Sequence, residues 1–265
     1  MTLPKLTGGG DYEILAVGAR KIGMNKVTQD ARRLNLPEEK LLGDRIVTIP
    51  GFTLEKYRKL QRSHLSIFSP HCFGGLISKM LGLPVRTPFG TNGVEPYGFI
   101  KFLREPQRYL NEKLTLNGKK SQSESVSKNT GNIYEESTFI LHPNNQKPKL
   151  GDIAMTMVHY KTFDDFVEMW ERRKPRINWY NIFVEMYTAK PDLLELFDAL
   201  PYGKKICFVP FKSDLDSAWY INPEIDKEAK NDIHAMVIRF GWGTFFYYDV
   251  FDMLLYGKKT PLIEM

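Results

Sequence analysis

Leu65-Ser66-Ile67-Phe68-Ser69-Pro70-His71-Cys72-Phe73-Gly74-Gly75-Leu76-Ile77-Ser78-Lys79-Met80-Leu81-Gly82-Leu83-Pro84 changes its hydrophobic period halfway along. The apolar run at its start has strand length and stops at Ser69-Pro70. After Gly74-Gly75, the residues Leu76, Ile77, Met80 and Leu81 fall at helical spacing until Gly82 and Pro84 end the pattern. The spacing predicts a strand, a tight turn and a short helix. Cys72 falls in the turn, beside the free N–H groups and positive dipole end of the predicted helix, an environment that lowers a thiol pKa. It is therefore the first candidate for chemistry. The plain alternative is a small apolar residue packed at a turn, with Gly74 and Gly75 serving backbone geometry alone.

Working outward towards the N-terminus, residues 1–52 read as a partial Rossmann-like βαβ unit. Tyr12 to Gly18 and Asp44 to Pro50 have strand patterns, and Met24 to Leu34 can form the helix between them. The Gly18 to Gly23 spacing matches neither a dinucleotide fingerprint nor a Walker loop. Residues 53–265 read as a second, α/β domain. Thr53 is placed to cap a helix through Leu60 that leads into the Leu65 strand. Beyond Pro84 an ordered loop returns the chain towards Cys72. A helix over Tyr97 to Leu103 then breaks at Pro106 and resumes to Leu114.

Residues 117–137 are polar and rich in Ser, Asn and Gly, the composition of a loop that divides the chain into two lobes. After it come a strand from Ile153 to Tyr160 with His159 near its end, a Thr162-capped helix, a strand from Asn181 to Tyr187, a helix from Asp192 to Leu200 and a strand from Lys205 to Pro210. The alternation predicts an α/β fold with a mostly parallel sheet and helices on both faces. Ligands in such sheets bind outside the carboxyl ends of the strands, where Cys72 and His159 are both expected. The aromatic stretch from Arg239 to Tyr256 reads as a core or lobe-packing helix, rather than a surface for glycan stacking or membrane contact.

The 265 residues are 42% hydrophobic and 13% aromatic, enough for a packed core. No apolar run approaches the ~20 residues of a membrane span, and Met1 to Lys5 lacks a signal-peptide core. A soluble, cytoplasmic protein is expected. Cys72 and Cys207 are too few for a disulfide framework, and no Cys/His spacing suggests a metal. A net charge of +6 and a pI near 9.1 favour polyanionic partners. No nucleic-acid-binding signature accompanies the charge, so nucleic acid is not the expected partner.

Several motifs recur in one order: Ser69-x-x-Cys72-Phe73-Gly74-Gly75, Leu81-Gly82-Leu83-Pro84, Pro88-Phe89, Phe99-Ile100-Lys101-Phe102-Leu103, His159-Tyr160, Trp170-x-Arg172-Arg173-Lys174-x-Arg176-Ile177-Asn178-Trp179 and Phe197-Asp198-x-Leu200-Pro201-Tyr202. Together they resemble a bacterial family, domain of unknown function nineteen-nineteen, whose members are described as exopolysaccharide or capsule biosynthesis proteins. The resemblance runs from about Leu54 to about Ile221. It implies a two-part α/β fold and a transferase role in surface polysaccharide assembly, without an assigned mechanism. The family pattern has asparagine just before its cysteine where this chain has Pro70-His71, so the resemblance gives His71 no role.

Two chemistries are open at this point. In acyl transfer to a glycan or its lipid-linked precursor, Cys72 is the nucleophile and His159 the base. Asn178 or Asp152 orients that base, and the N–H groups of Phe73 and Gly74 stabilise an oxyanion. In glycosyl or sugar-phosphate transfer from a nucleotide sugar, Arg172, Arg173, Lys174 and Arg176 clamp the phosphorylated donor beside Gly74 and Gly75. The plain alternative for the basic run is a helix C-terminus stabilised by cations. A third reading is non-catalytic, a capsule-assembly partner whose basic face meets anionic polymer or the inner face of the membrane.

Overall fold

The structure, a computed structural model, describes residues 51–90, 92–121, 145–156, 160, 162–222 and 247–262. The predicted βαβ strands and helix of residues 12–50 lie outside these, as do residues 122–137 of the polar stretch, His159, and the aromatic stretch before Tyr247. Helix α1 (Leu54–Arg62) opens as its sequence predicts, the Thr53 hydroxyl accepting the Lys56 N–H at 3.1 Å. Strand β1 (Ser66–Phe68) and helix α2 (Phe73–Met80) follow, so the strand, turn and helix of the Leu65 to Pro84 stretch are all present. Next come β2 (Gly93–Val94), α3 (Pro96–Arg104), α4 (Pro106–Asn111), β3 (Leu114–Ser121), β4 (Asn145–Leu150) and β5 (Ile153–Thr156). Helix α5 (Phe163–Arg173) is fixed at its start by a capping box between Thr162 and Asp165, and the 3-10 turn Lys174–Arg176 closes it. Strand β6 (Ile182–Tyr187), helix α6 (Pro191–Asp198), strands β7 (Lys205–Val209) and β8 (Ala218–Tyr220), and helix α7 (Val250–Tyr256) complete the order. Helices α3, α4 and α6 each begin on proline, whose fixed φ suits the first helical position.

Two sheets result. One is all parallel in the order β1-β6-β7-β8, and the other is antiparallel in the order β2-β5-β4-β3. The α/β expectation holds, but the Ile153 strand does not join the parallel sheet. Leu150 pairs with Ile153 across a two-residue hairpin in which Gly151 takes φ 60°. So short a connection can only join antiparallel strands, since parallel neighbours need a crossover of a dozen residues or more. The helix expected to resume to Leu114 stops at Asn111, and Leu114 opens β3. That strand carries the backbone of residues 117–121, which the polar composition had suggested was loop.

The parallel sheet is buried on both faces. Ile67, Phe183 and Phe208 pack with α1, α2 and α7, while Phe68, Val184, Met186 and Val209 pack with α3, α5 and α6. Alternate strand residues thus feed two cores, the pattern required when helices cover both sides of a sheet. In the described part of the aromatic stretch, Tyr247, Tyr248 and Phe251 are buried in the first of these cores, as expected. Asp249 caps α7, and Lys56 of α1 pairs with both Asp249 and Asp252, at 2.9 and 2.7 Å. Among the described residues no helix is long and apolar enough to cross a membrane.

Candidate functional site

Strand β1 runs out through Ser69, Pro70 and His71 into the first turn of α2. The Pro70 carbonyl accepts the Val94 N–H at 2.7 Å, which ties the antiparallel sheet to this end of the parallel one. Between them opens a pocket of about 260 Å³ whose walls include His71, Val94, Glu95, Thr156 and Tyr187. It lies outside the carboxyl ends of β1 and β6, where a parallel sheet presents its binding groups.

His71 is held from three sides. The Phe73 N–H donates to Nδ1 at 3.3 Å, so in the neutral ring the proton is on Nε2. Nε2 faces Glu185 Oε1 of β6 at 3.3 Å, and the Tyr187 ring lies against the imidazole with centroids 5.1 Å apart. The Ser69 hydroxyl donates to the His71 carbonyl at 2.9 Å and fixes the loop. Glu185 is fully buried, on the α2 side of β6 with Phe183 and Tyr187, and neither of its oxygens has a hydrogen-bond donor of good geometry among the described residues. A carboxylate so placed is costly unless a charge or a donor faces it, and His71 is the group that does.

Cys72 follows directly. Its carbonyl accepts the Leu76 N–H at 2.9 Å, which makes it the residue that starts α2, as expected. Its thiol is not lowered, however. Burial pushes it up to about 11, because withdrawal from water disfavours the thiolate. Cys207, in β7, is fully buried and is pushed well up, first by burial and then by the Glu185 charge.

The other predicted residues divide. Asn178 is at the amino end of β1, not beside Cys72: its N–H donates to Ser66 Oγ at 2.8 Å and its Nδ2 to the His64 carbonyl at 3.2 Å. Asp152 sits on the β4–β5 hairpin, where hydrogen bonds from Lys101 and then Tyr109 hold its carboxyl below the usual range. His159 lies outside the described residues, three positions after the pocket residue Thr156. Of the basic run, Arg172 and Arg176 are exposed, and Lys174 caps α4 by donating to the Leu110 carbonyl at 3.0 Å. Only Arg173 turns inward, its Nη1 coming within 2.6 Å of where a Cβ on Gly90 would sit. The two glycines are close-packing positions. A Cβ on Gly75 would lie 1.7 Å from the Gly90 carbonyl oxygen, and one on Gly74 would lie 3.1 Å from Ile67. Gly75, Gly90 and Arg173 therefore meet at one contact behind the first turn of α2. Of the two proposed oxyanion donors, the Phe73 N–H is already engaged by His71, which leaves Gly74.

Sequence reasoning missed His71 and Glu185 as a pair. The available signal was Glu185 itself, a charge inside Ile182-Phe183-Val184-Glu185-Met186-Tyr187, a strand otherwise apolar on both faces. Comparison with known proteins gives a family without an assigned chemistry. The family model described as Domain of unknown function (DUF1919) matches residues 45–257. A protein of Haemophilus influenzae, described as uncharacterized, is 27% identical over 201 residues, covering 74% of this chain and 84% of its own.

Proposed function

Because the chain belongs to the DUF1919 family, its chemistry has to be read from its own site, and we propose that it is a transferase that acylates a bacterial surface glycan or its lipid-linked precursor. The observation that carries this reading is the buried His71–Glu185 pair: His71 lines a pocket of monosaccharide scale, and Cys72 is the next residue in the chain. Cys72 Sγ attacks the carbonyl carbon of an activated acyl donor while its proton passes to His71 Nδ1, which gives up the Phe73 N–H to receive it. Glu185 stabilises the resulting imidazolium, as an acid partner does in a catalytic triad. The leaving group departs with that proton, and a sugar hydroxyl then displaces Sγ to give an ester and the free thiol. A thiol pushed up to about 11 is not ionised at rest, so the attack depends on a base. His71 supplies one without requiring Asn178. The basic charge suits an anionic or lipid-linked precursor at the inner membrane face.

A second reading, glycosyl or sugar-phosphate transfer from a nucleotide sugar, is favoured by Arg173, whose guanidinium is held behind the first turn of α2. Deleting the gene and comparing purified surface polysaccharide by NMR separates the two. Loss of an acyl signal on an intact backbone, restored by the wild-type gene but not by Cys72→Ser or His71→Ala, is the expected result. A shortened or missing repeat unit would favour glycosyl transfer. Unchanged polysaccharide would refute both and leave a non-catalytic assembly partner.

A further inference from the structure

The edge of the parallel sheet opposite the pocket has no part in the chemistry above. Two grooves of about 660 and 610 Å³ open there and meet at Asn181, just before β6. A strand rises about 3.3 Å per residue, so the length of β6 sets this edge roughly 16 Å from Tyr187 and the pocket. The first groove presents consecutive aromatics, Trp179 at 39% exposed and Tyr180 at 102%. Large aromatics side by side on a groove wall, uncovered by any of the described residues, mark a surface built to be covered.

That platform is pre-ordered. Trp179 stands edge-on against the buried Phe68 ring at 6.2 Å, and the Tyr180 N–H donates to Asn178 Oδ1 at 3.2 Å. Asn178, tied in turn to β1, fixes the turn that displays both rings. Charge around the platform is mainly positive. Arg104, Arg108 and Lys204 line the first groove, and Arg58, Lys59 and Arg62 of α1 line the second, against only Glu105 and Glu55. Glu105 is already paired with Arg108, at 2.5 Å.

We infer that the amino edge of the parallel sheet is a docking groove for an acidic polysaccharide chain. The apolar face of a sugar ring lies on Trp179 and Tyr180, and the carboxylate or phosphate substituents meet Arg104, Lys204 and, past Asn181, Arg62. The polymer class rests on the function proposed above, while the site is separate from the pocket. A single-stranded nucleic acid would stack successive bases on aromatics spread along its track. Here the aromatic platform is one adjacent pair at a single point, which suits one sugar ring with charge on either side.

The test is calorimetric titration of the full chain with an oligogalacturonate, with neutral dextran and a single-stranded oligonucleotide as competitors for the assignment. The oligogalacturonate is expected to bind, with affinity that falls as salt rises, and dextran is expected not to. Tyr180→Ala touches only an exposed side chain and should weaken binding about tenfold, the scale of losing one aromatic contact. Arg62→Ala with Arg104→Ala should weaken it at least as much. His71→Ala, which the acylation reading expects to be inactive, should bind normally, so loss of either site is seen independently of the other. Absence of oligogalacturonate binding, binding indifferent to Tyr180→Ala, or tighter capture of the oligonucleotide through the same residues would each overturn the proposal.

Discussion

At Cys72 two effects of opposite sign meet within one residue. A helix end is expected to favour the thiolate, and removal from water disfavours it; burial pushes the thiol up to about 11. Because the reactive form is the thiolate, alkylation of Cys72 by iodoacetamide should be slow at pH 7 and rise about tenfold per pH unit towards pH 11. Cys207, fully buried in β7, should label only on unfolding. Mass spectrometry of the two peptides across a pH series checks this, and fast labelling of Cys72 at neutral pH would show that a nearby base already holds its proton. The partner of His71 could not be read from the chain, since Glu185 is brought to it only by the pairing of β1 with β6. Cys72 and Arg173 were visible as residue types. Their environments were not, because solvent exclusion and the direction of an arginine are properties of packing.

Among the elements, those with local causes were the legible ones. Thr53 and Thr162 announced their helices, and the change of period after Gly74-Gly75 announced β1 and α2. Sheet membership was harder, because the apolar run from Ile153 reads alike in a parallel or an antiparallel sheet, and only the Gly151-Asp152 turn decides between them. Beside the shared apolar core, α7 is tied to α1 by one cation between two carboxylates, a contact equally hidden in the linear order. Burial pushes the Asp252 carboxyl up, but the hydrogen bonds from Lys56 and then Thr260 outweigh it, so the group ends below its ordinary value. Stability linked to that lowering is present above the ordinary carboxylate pKa of about 3.9 and is lost as pH falls through the lower folded value. Lys56→Met should therefore destabilise the protein at pH 7, by about 1–3 kcal/mol for a partly buried charged hydrogen bond. The gap from wild type should begin to narrow near the ordinary carboxylate value and close as pH falls through the lowered folded one. Urea unfolding at pH 7 and pH 3 measures both, and a gap that persists in acid would assign the loss to packing of the lysine stem.

Over the whole molecule, the proposed function sets chemistry at the carboxyl ends of the parallel strands, and the proposed groove sets capture at their amino ends. The same sheet has a history as well as a shape. Ser66 of β1 pairs with Ile182 of β6 only after the described antiparallel sheet and four described helices have been traversed, whereas β6, β7 and β8 are near neighbours in the chain. Closing a long loop delays the contact that depends on it. The β6–β8 segment should therefore assemble first, leaving a vacant flank that β1 fills last. In pulsed hydrogen exchange during refolding, β7 amides should gain protection before those of β1, and simultaneous protection would place β1 in the folding nucleus. His71 and Glu185 stand on the two sides of that final seam, so the pair should form with the last strand and not before it: a chain caught partway through folding would already be compact around β7 yet would lack the contact on which the proposed chemistry rests.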